Sequence, residues 1–191
     1  MITSVTENPL IKGYHGTFAN VVHRRWGDQH VIVQKRPDFS NVKWSKAQKA
    51  NRRRFSDAMA YARKAIADPE MRAWYTTLAK PGQTACNVAV ADYMLRPKIT
   101  KTDINEYHGS KGDPIRVKPR DRYAIASVLV FVYNSLGLEV ESGLATRGLS
   151  DSYWYYRAQE DNPLWQGGRI LFKVSDTPGN VVTEILPVLR T

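Results

Sequence analysis

Residues 124–133 read AIASVLVFVY, and this stretch decides the fold. Side chains alternate across a strand, so Val128, Val130 and Val132 point one way. Ile125, Leu129, Phe131 and Tyr133 point the other. An antiparallel strand with one wet face is polar at every second position. This one is apolar on both sides, which predicts that its outer face is covered by helices, meets a partner chain or is left bare. Short strand patterns continue outward in both directions. Ile115–Val117 precedes it, and Leu138–Leu144 follows a turn at Asn134–Gly137. Then come Ser152–Ala158 (SYWYYRA), Arg169–Val174 (RILFKV), a turn at Ser175–Asn180 (SDTPGN) and Val181–Leu189 (VVTEILPVL). Several short strands at regular spacing predict an antiparallel β-sandwich.

Upstream of Lys98 the period changes to helical. Trp44–Ala67 holds neither Pro nor Gly, with Ser45 as a plausible N-cap. Phe55, Ala58, Met59, Ala62 and Ile66 recur at helical spacing as an apolar stripe. Asp68-Pro69 breaks this helix and starts the next, Asp68 as cap and Pro69 in the first turn. That helix runs over Glu70–Lys80 until Lys80-Pro81-Gly82 stops it; Thr84 opens a third, ending before Arg96-Pro97. Residues 17–36 read as a hairpin around Gly27-Asp28, ended by Pro37, with a bend marked by Gly13 and Gly16.

The 191 residues are 42% hydrophobic and 24% charged, an ordinary globular composition. No run approaches the ~20 apolar residues of a membrane-crossing helix. One cysteine, Cys86, excludes a disulfide scaffold, and Met1–Lys12 shows no secretory pattern, so the cytoplasm is the expected compartment. The net charge of +10 is uneven. Residues 1–98 hold 17 basic and 7 acidic side chains, and residues 99–191 hold 11 of each. A basic half facing a neutral one suggests a polyanion such as nucleic acid, an acidic protein or surface, or plain solubility.

Motifs for chemistry are sparse. His15, His23, His30 and His108 form no zinc signature, although His23 and His30 could face each other across the hairpin. Asp121, Asp151, Asp161 and Asp176 fall near strand ends but lack calcium-loop spacing. Nucleophile elbows and phosphate loops are missing, and no cofactor is expected. Residues 108–112 (HGSKG) read as an anion nest or an interdomain turn. Glu139 and Glu141 alternate along one strand and so share a face, as an acid/base pair or simply as an exposed strand face. Enzyme activity is not expected.

The second half resembles bacterial immunoglobulin-like domains over Gly112–Leu189. The likeness rests on Asp121 before the Val128/Val130/Val132 strand, on Trp154 and Tyr156, and on Asp176, Gly179 and Asn180. It implies loop-closing roles for Asp121, Asp176 and Asn180 and says nothing of activity. The whole chain also resembles a group of uncharacterised bacterial proteins. They share the hairpin, a helix start like Ala47-Gln48 to Arg52-Arg53-Arg54-Phe55, a D-P-E helix and this sandwich. That likeness implies a two-part architecture and no reaction.

The expected fold is therefore α+β, with a hairpin and three-helix module at 1–98, a linker at 99–111 and an immunoglobulin-like sandwich at 112–191. The candidate polyanion-binding residues are Arg24, Arg25, Lys35, Arg36, Lys43, Lys46, Lys49, Arg52, Arg53 and Arg54. Lys46, Lys49 and Arg53 share one helix face away from the apolar stripe, and Trp26, Phe39 and Trp44 are interleaved as stacking candidates or core. Ile125, Leu129, Phe131 and Tyr133 are the candidate protein interface. The expected partners are DNA or RNA for the first half, and a protein or a second copy for the sandwich. The alternative is an assembly subunit, of a virion or a cell surface, docking on an acidic neighbour.

Overall fold

The structure, a computed structural model, describes residues 16–26, 30–149 and 152–189. Gly13, His15, the Gly27-Asp28 turn and Asp151 lie outside the described residues. The protein is α+β, and among the described residues every strand pairing is antiparallel. It divides into two compact units, Met1–Lys46 and Ala47–Thr191.

The first unit is a three-stranded meander of β1 (Gly16–Phe18), β2 (Val21–Trp26) and β3 (His30–Lys35). The expected first hairpin strand is thus two, because the chain turns at Ala19-Asn20. Ala19 has φ +50°, a left-handed conformation uncommon outside glycine. Pro37 lies just beyond the end of β3, and the Arg36 N–H closes back onto the Asn20 carbonyl at 2.7 Å. None of the described side chains of this unit is fully buried.

The second unit begins with three helices, α1 (Lys46–Ala67), α2 (Pro69–Leu78) and α3 (Ala85–Met94). The starts of α2 and α3 follow the expected chemistry. Asp68 accepts from the N–H groups of Glu70 and Met71 with Pro69 in the first turn, and Thr84 accepts from Asn87 N–H. Ala62, Ala65, Tyr75, Val88 and Ala89 form the helical core, with Tyr123 packed against it. The buried stripe of α1 is Ala58, Ala62 and Ala65, while Phe55 is 52% exposed. The expected stripe was therefore rotated. Small alanines let α1 approach its neighbours closely, and the bulkier Phe55 falls to one flank.

Two four-stranded sheets follow. One has the order β4-β5-β9-β8, from β4 (Lys98–Asp103), β5 (Pro114–Arg120), β8 (Thr146–Arg147) and β9 (Trp154–Arg157). The other has the order β11-β10-β6-β7, from β6 (Ile125–Tyr133), β7 (Glu139–Leu144), β10 (Arg169–Asp176) and β11 (Val181–Pro187). Val128, Val130 and Val132 of β6 and Ile170, Phe172 and Val174 of β10 share one core with Ile115, Val117 and Tyr156 of the facing sheet. Fully burying such a side chain contributes roughly 1.5–3 kcal/mol.

Two boundaries differ from the sequence reading. The compact grouping places the helices with the sheets rather than with the hairpin. The expected linker at 99–111 starts inside β4, whose alternation is hidden by a bulge between Ile99 and Lys101.

The helices meet one end of the sheets. Asn180, in the β10–β11 turn, donates through Nδ2 to the Tyr93 and Leu95 carbonyls at the end of α3, at 3.2 and 3.0 Å. Asp121 closes the β5–β6 turn by accepting from Tyr123 and Ala124 N–H, both at 3.1 Å. Asp176 accepts from Asn180 N–H at 2.6 Å and from its Nδ2 at 2.8 Å. Among the described residues, no helix is long and apolar enough to cross a membrane.

Candidate polyanion-binding site

On α1 the cations are sorted by the helical period. Lys46, Lys49 and Arg53 are exposed and lie on the side opposite Ala58, Ala62 and Ala65. Arg54 continues the buried stripe instead. It is half-buried, and its guanidinium donates to the Met94 carbonyl at 2.9 Å, tying α1 to the end of α3. Arg54 therefore leaves the candidate set as a structural residue. Arg52 is exposed on the Phe55 flank, where a shallow groove of about 630 Å³ runs between Arg52 and Arg63 over Phe55, Met59 and Met94.

The first turn of α1 has no acidic residue to offset the positive end of the helix dipole. In the first unit the Asp38 carboxylate accepts from Ser40 N–H at 2.9 Å, and that bond holds its pKa below the ordinary value.

In the first unit, Arg24 on β2, Lys35 at the end of β3, Arg36 and Lys43 are exposed. Arg25 lies on β2 opposite Val31; its side chain is outside the described residues, as is that of Trp26. Phe39 is exposed and packs tilted on the half-buried Trp44, with ring centroids 6.3 Å apart.

The candidate protein interface is partly redrawn. Leu129, Phe131 and Tyr133 do face outward and are half-buried. Ile125 does not join them, because the pairing slips between Ser175 and Asp176 and sets Ile125 opposite the buried Asp176. Ile125 packs against the sheet core. The outer face instead continues into Leu171, Ile185 and Leu144, of which Ile185 and Leu144 are 56% and 64% exposed.

Other candidate chemistry resolves into structure. Glu139 and Glu141 do not share a face, since a second slip between Val132 and Tyr133 turns Glu141 inward. There it accepts from the Tyr156 hydroxyl and from Gln159 N–H, both at 2.7 Å. Burial, reinforced by that carboxylate, pushes the Tyr156 hydroxyl pKa up. His23 pairs with Gly16 and Val33, and His30 with Trp26, so the two histidines are not cross-strand partners. The HGSKG segment offers no vacant nest. His108 and Ser110 N–H donate to Asp113 at 2.7 and 2.9 Å, and Lys111 N–H donates to Asp161 at 2.8 Å. Among the described residues no cluster of His, Cys, Asp and Glu is arranged to hold a metal ion.

A buried polar network lies in the helical core. Asp92 of α3 has no solvent exposure; its Oδ2 accepts from the Tyr75 hydroxyl at 2.7 Å, and the Tyr75 and Tyr61 hydroxyls are 2.8 Å apart. Burial raises its pKa to about 6. The Tyr75 bond opposes that shift, and the nearby Asp121 and Asp176 charges add to it.

The sequence reading missed a second cationic surface. Lys98 and Lys101 of β4 stand opposite Arg120 and Lys118 of β5 on the outer face of that sheet. Charge summed over residues 99–191 conceals Lys101, Lys118 and Arg120, because Glu141 and Asp176 of that half are counted although they are buried. No protein-family model matches the sequence, and no curated protein shows significant similarity to it.

Proposed function

We propose that the protein is a non-enzymatic binding protein that contacts nucleic acid or another polyanion without reading sequence. The carrying observation is the exposed row Lys46, Lys49 and Arg53, set opposite the buried face of α1 in a helix whose first turn lacks acidic residues. Each phosphate neutralised by such a row releases condensed counterions, which gives affinity without specificity. Exposed Arg24, Lys35, Arg36 and Lys43 supply further positive charge in the first unit. The strand orders β4-β5-β9-β8 and β11-β10-β6-β7 correspond to A-B-E-D and G-F-C-C′, which supports an immunoglobulin-like reading of the sheets.

The test is the triple reversal K46E/K49E/R53E in the full chain. The variant is expected to keep the wild-type circular dichroism while affinity for duplex DNA falls at least tenfold. The slope of log affinity against log salt should shrink by about 2–3, at ~0.9 per lost contact. Wild-type binding by the folded variant would refute the reading, and unfolding would place that face in the core.

A second reading is an assembly subunit docking on a neighbour. The observation that favours it is the half-exposed apolar outer face of β11-β10-β6-β7. Sedimentation separates the two, because an assembly subunit self-associates and a simple binder need not.

A further inference from the structure

We infer that the outer face of the sheet β4-β5-β9-β8 is a separate contact surface for single-stranded nucleic acid, with phosphates along β4 and β5 and bases toward β9. It does not depend on α1.

Three rungs of this face lie side by side. At one, Asp103 opposes Arg116, whose guanidinium reaches Asp103 at 3.2 Å and Glu106 at 2.8 Å. At the next, Lys101 opposes Lys118, and beyond it Lys98 opposes Arg120. Like charges directly opposite across an antiparallel pair destabilise it. Among the described residues, no carboxylate forms an ion pair with Lys98, Lys101, Lys118 or Arg120. One rung is neutralised and two are left cationic.

The bulge is what creates the patch. Lys98 and Lys101 are three residues apart and would point to opposite faces of a regular strand. The pairing skips Thr100, which brings both onto the face of Lys118 and Arg120. Thr100 Oγ1 donates to the Lys118 carbonyl at 2.7 Å and pins the bulge to β5. Edge lysines also guard a sheet against edge-to-edge pairing, and β4 is an edge strand. That role accounts for Lys98 and Lys101 but not for Lys118 and Arg120, which sit on an interior strand. Same-face residues along β5 are about 6.6 Å apart, so Lys118 and Arg120 form a row along the strand.

Aromatic rings flank the cations. Lys118 Nζ lies 5.4 Å from the centroid of the Tyr153 ring, and the Tyr153 and Tyr155 centroids are 6.5 Å apart. Tyr155 stands opposite Arg116 on the same face. Cations beside half-exposed tyrosines match the combination that holds single strands, charge for the backbone and rings for unpaired bases.

The test uses the full chain and a labelled mixed-sequence 20-nucleotide single-stranded DNA, read by anisotropy across a salt series. For K101E/K118E we expect at least tenfold weaker binding and a salt slope smaller by about 1.4, at ~0.7 per contact on single strands. K101Q/K118Q, which removes the like-charge contact without reversing it, should weaken binding in the same direction and melt no lower than wild type. Y153L should weaken single-strand binding several-fold and leave duplex binding unchanged. Wild-type affinity and slope in folded K101E/K118E would overturn the inference, whatever K46E/K49E/R53E does. Loss in K101E/K118E with retention in K46E/K49E/R53E would uphold it and refute the α1 reading. Equal weakening of duplex and single strand, with Y153L silent, would overturn the single-strand assignment.

Discussion

The two sheets of the second unit share one interior and have opposite exteriors. Inward, both present Val, Ile and aromatic side chains that bury each other. Outward, β11-β10-β6-β7 shows Leu129, Phe131, Leu171 and Ile185, whereas β4-β5-β9-β8 shows Lys98, Lys101, Lys118 and Arg120. The core explains why the unit folds and is indifferent to what the outer faces carry. What differs between the faces is the partner each could hold, apolar for one and anionic for the other.

A cut into the shared interior should erase the distinction. Phe172→Ala removes a fully buried ring between the sheets and is expected to cost about 3–5 kcal/mol in urea unfolding. A cost below ~1 kcal/mol would mean the two sheets do not depend on a common core.

The junction with the helices offers a change that should spare both outer faces. Asp92 is held near pKa 6 in the folded state, against ~3.9 in an unfolded chain. Between pH 4 and 6 the folded protein therefore binds more protons than the unfolded one. Stability from this group is fully present below about pH 4 and is lost as pH rises through about 6, by about 1–3 kcal/mol. Asp92→Asn keeps an acceptor for the Tyr75 hydroxyl and should flatten that decline. An unchanged pH slope in the variant would contradict the assignment.

Smaller effects should separate the faces from each other. Ile185→Lys, at a 56% exposed site, is expected to change stability by no more than ~0.5 kcal/mol and to reduce binding of a hydrophobic dye. Lys118→Glu sets opposite charges at its rung with Lys101 and should raise stability by about 0.2–1 kcal/mol. A lower melting temperature for Lys118→Glu would mean that the lysine pair is not a stability cost.

The elements were legible where local chemistry is strong. Asp68-Pro69 and Thr84 announce the starts of α2 and α3, and the valines of β6 announce the inner face of a sheet. The irregularities were not. Slips between Ile99 and Lys101, between Ser175 and Asp176, and between Val132 and Tyr133 each reverse which side a residue faces. They turn Lys101 outward and Ile125 and Glu141 inward. A bulge depends on two strands meeting, so neither strand's own pattern reveals it. The candidate cations fared similarly. The period of α1 separates Lys46, Lys49 and Arg53 from its packed face, but the tie from Arg54 to the Met94 carbonyl needs α3 beside it.

Polyanion binding itself is tested most directly by titrating the wild-type full chain against labelled duplex DNA, single-stranded DNA and RNA between ~50 and 200 mM salt. Binding at low salt, with log affinity falling linearly and steeply against log salt, is the predicted result, and its slope counts the phosphates neutralised. No binding to any of the three at ~50 mM salt would contradict the account.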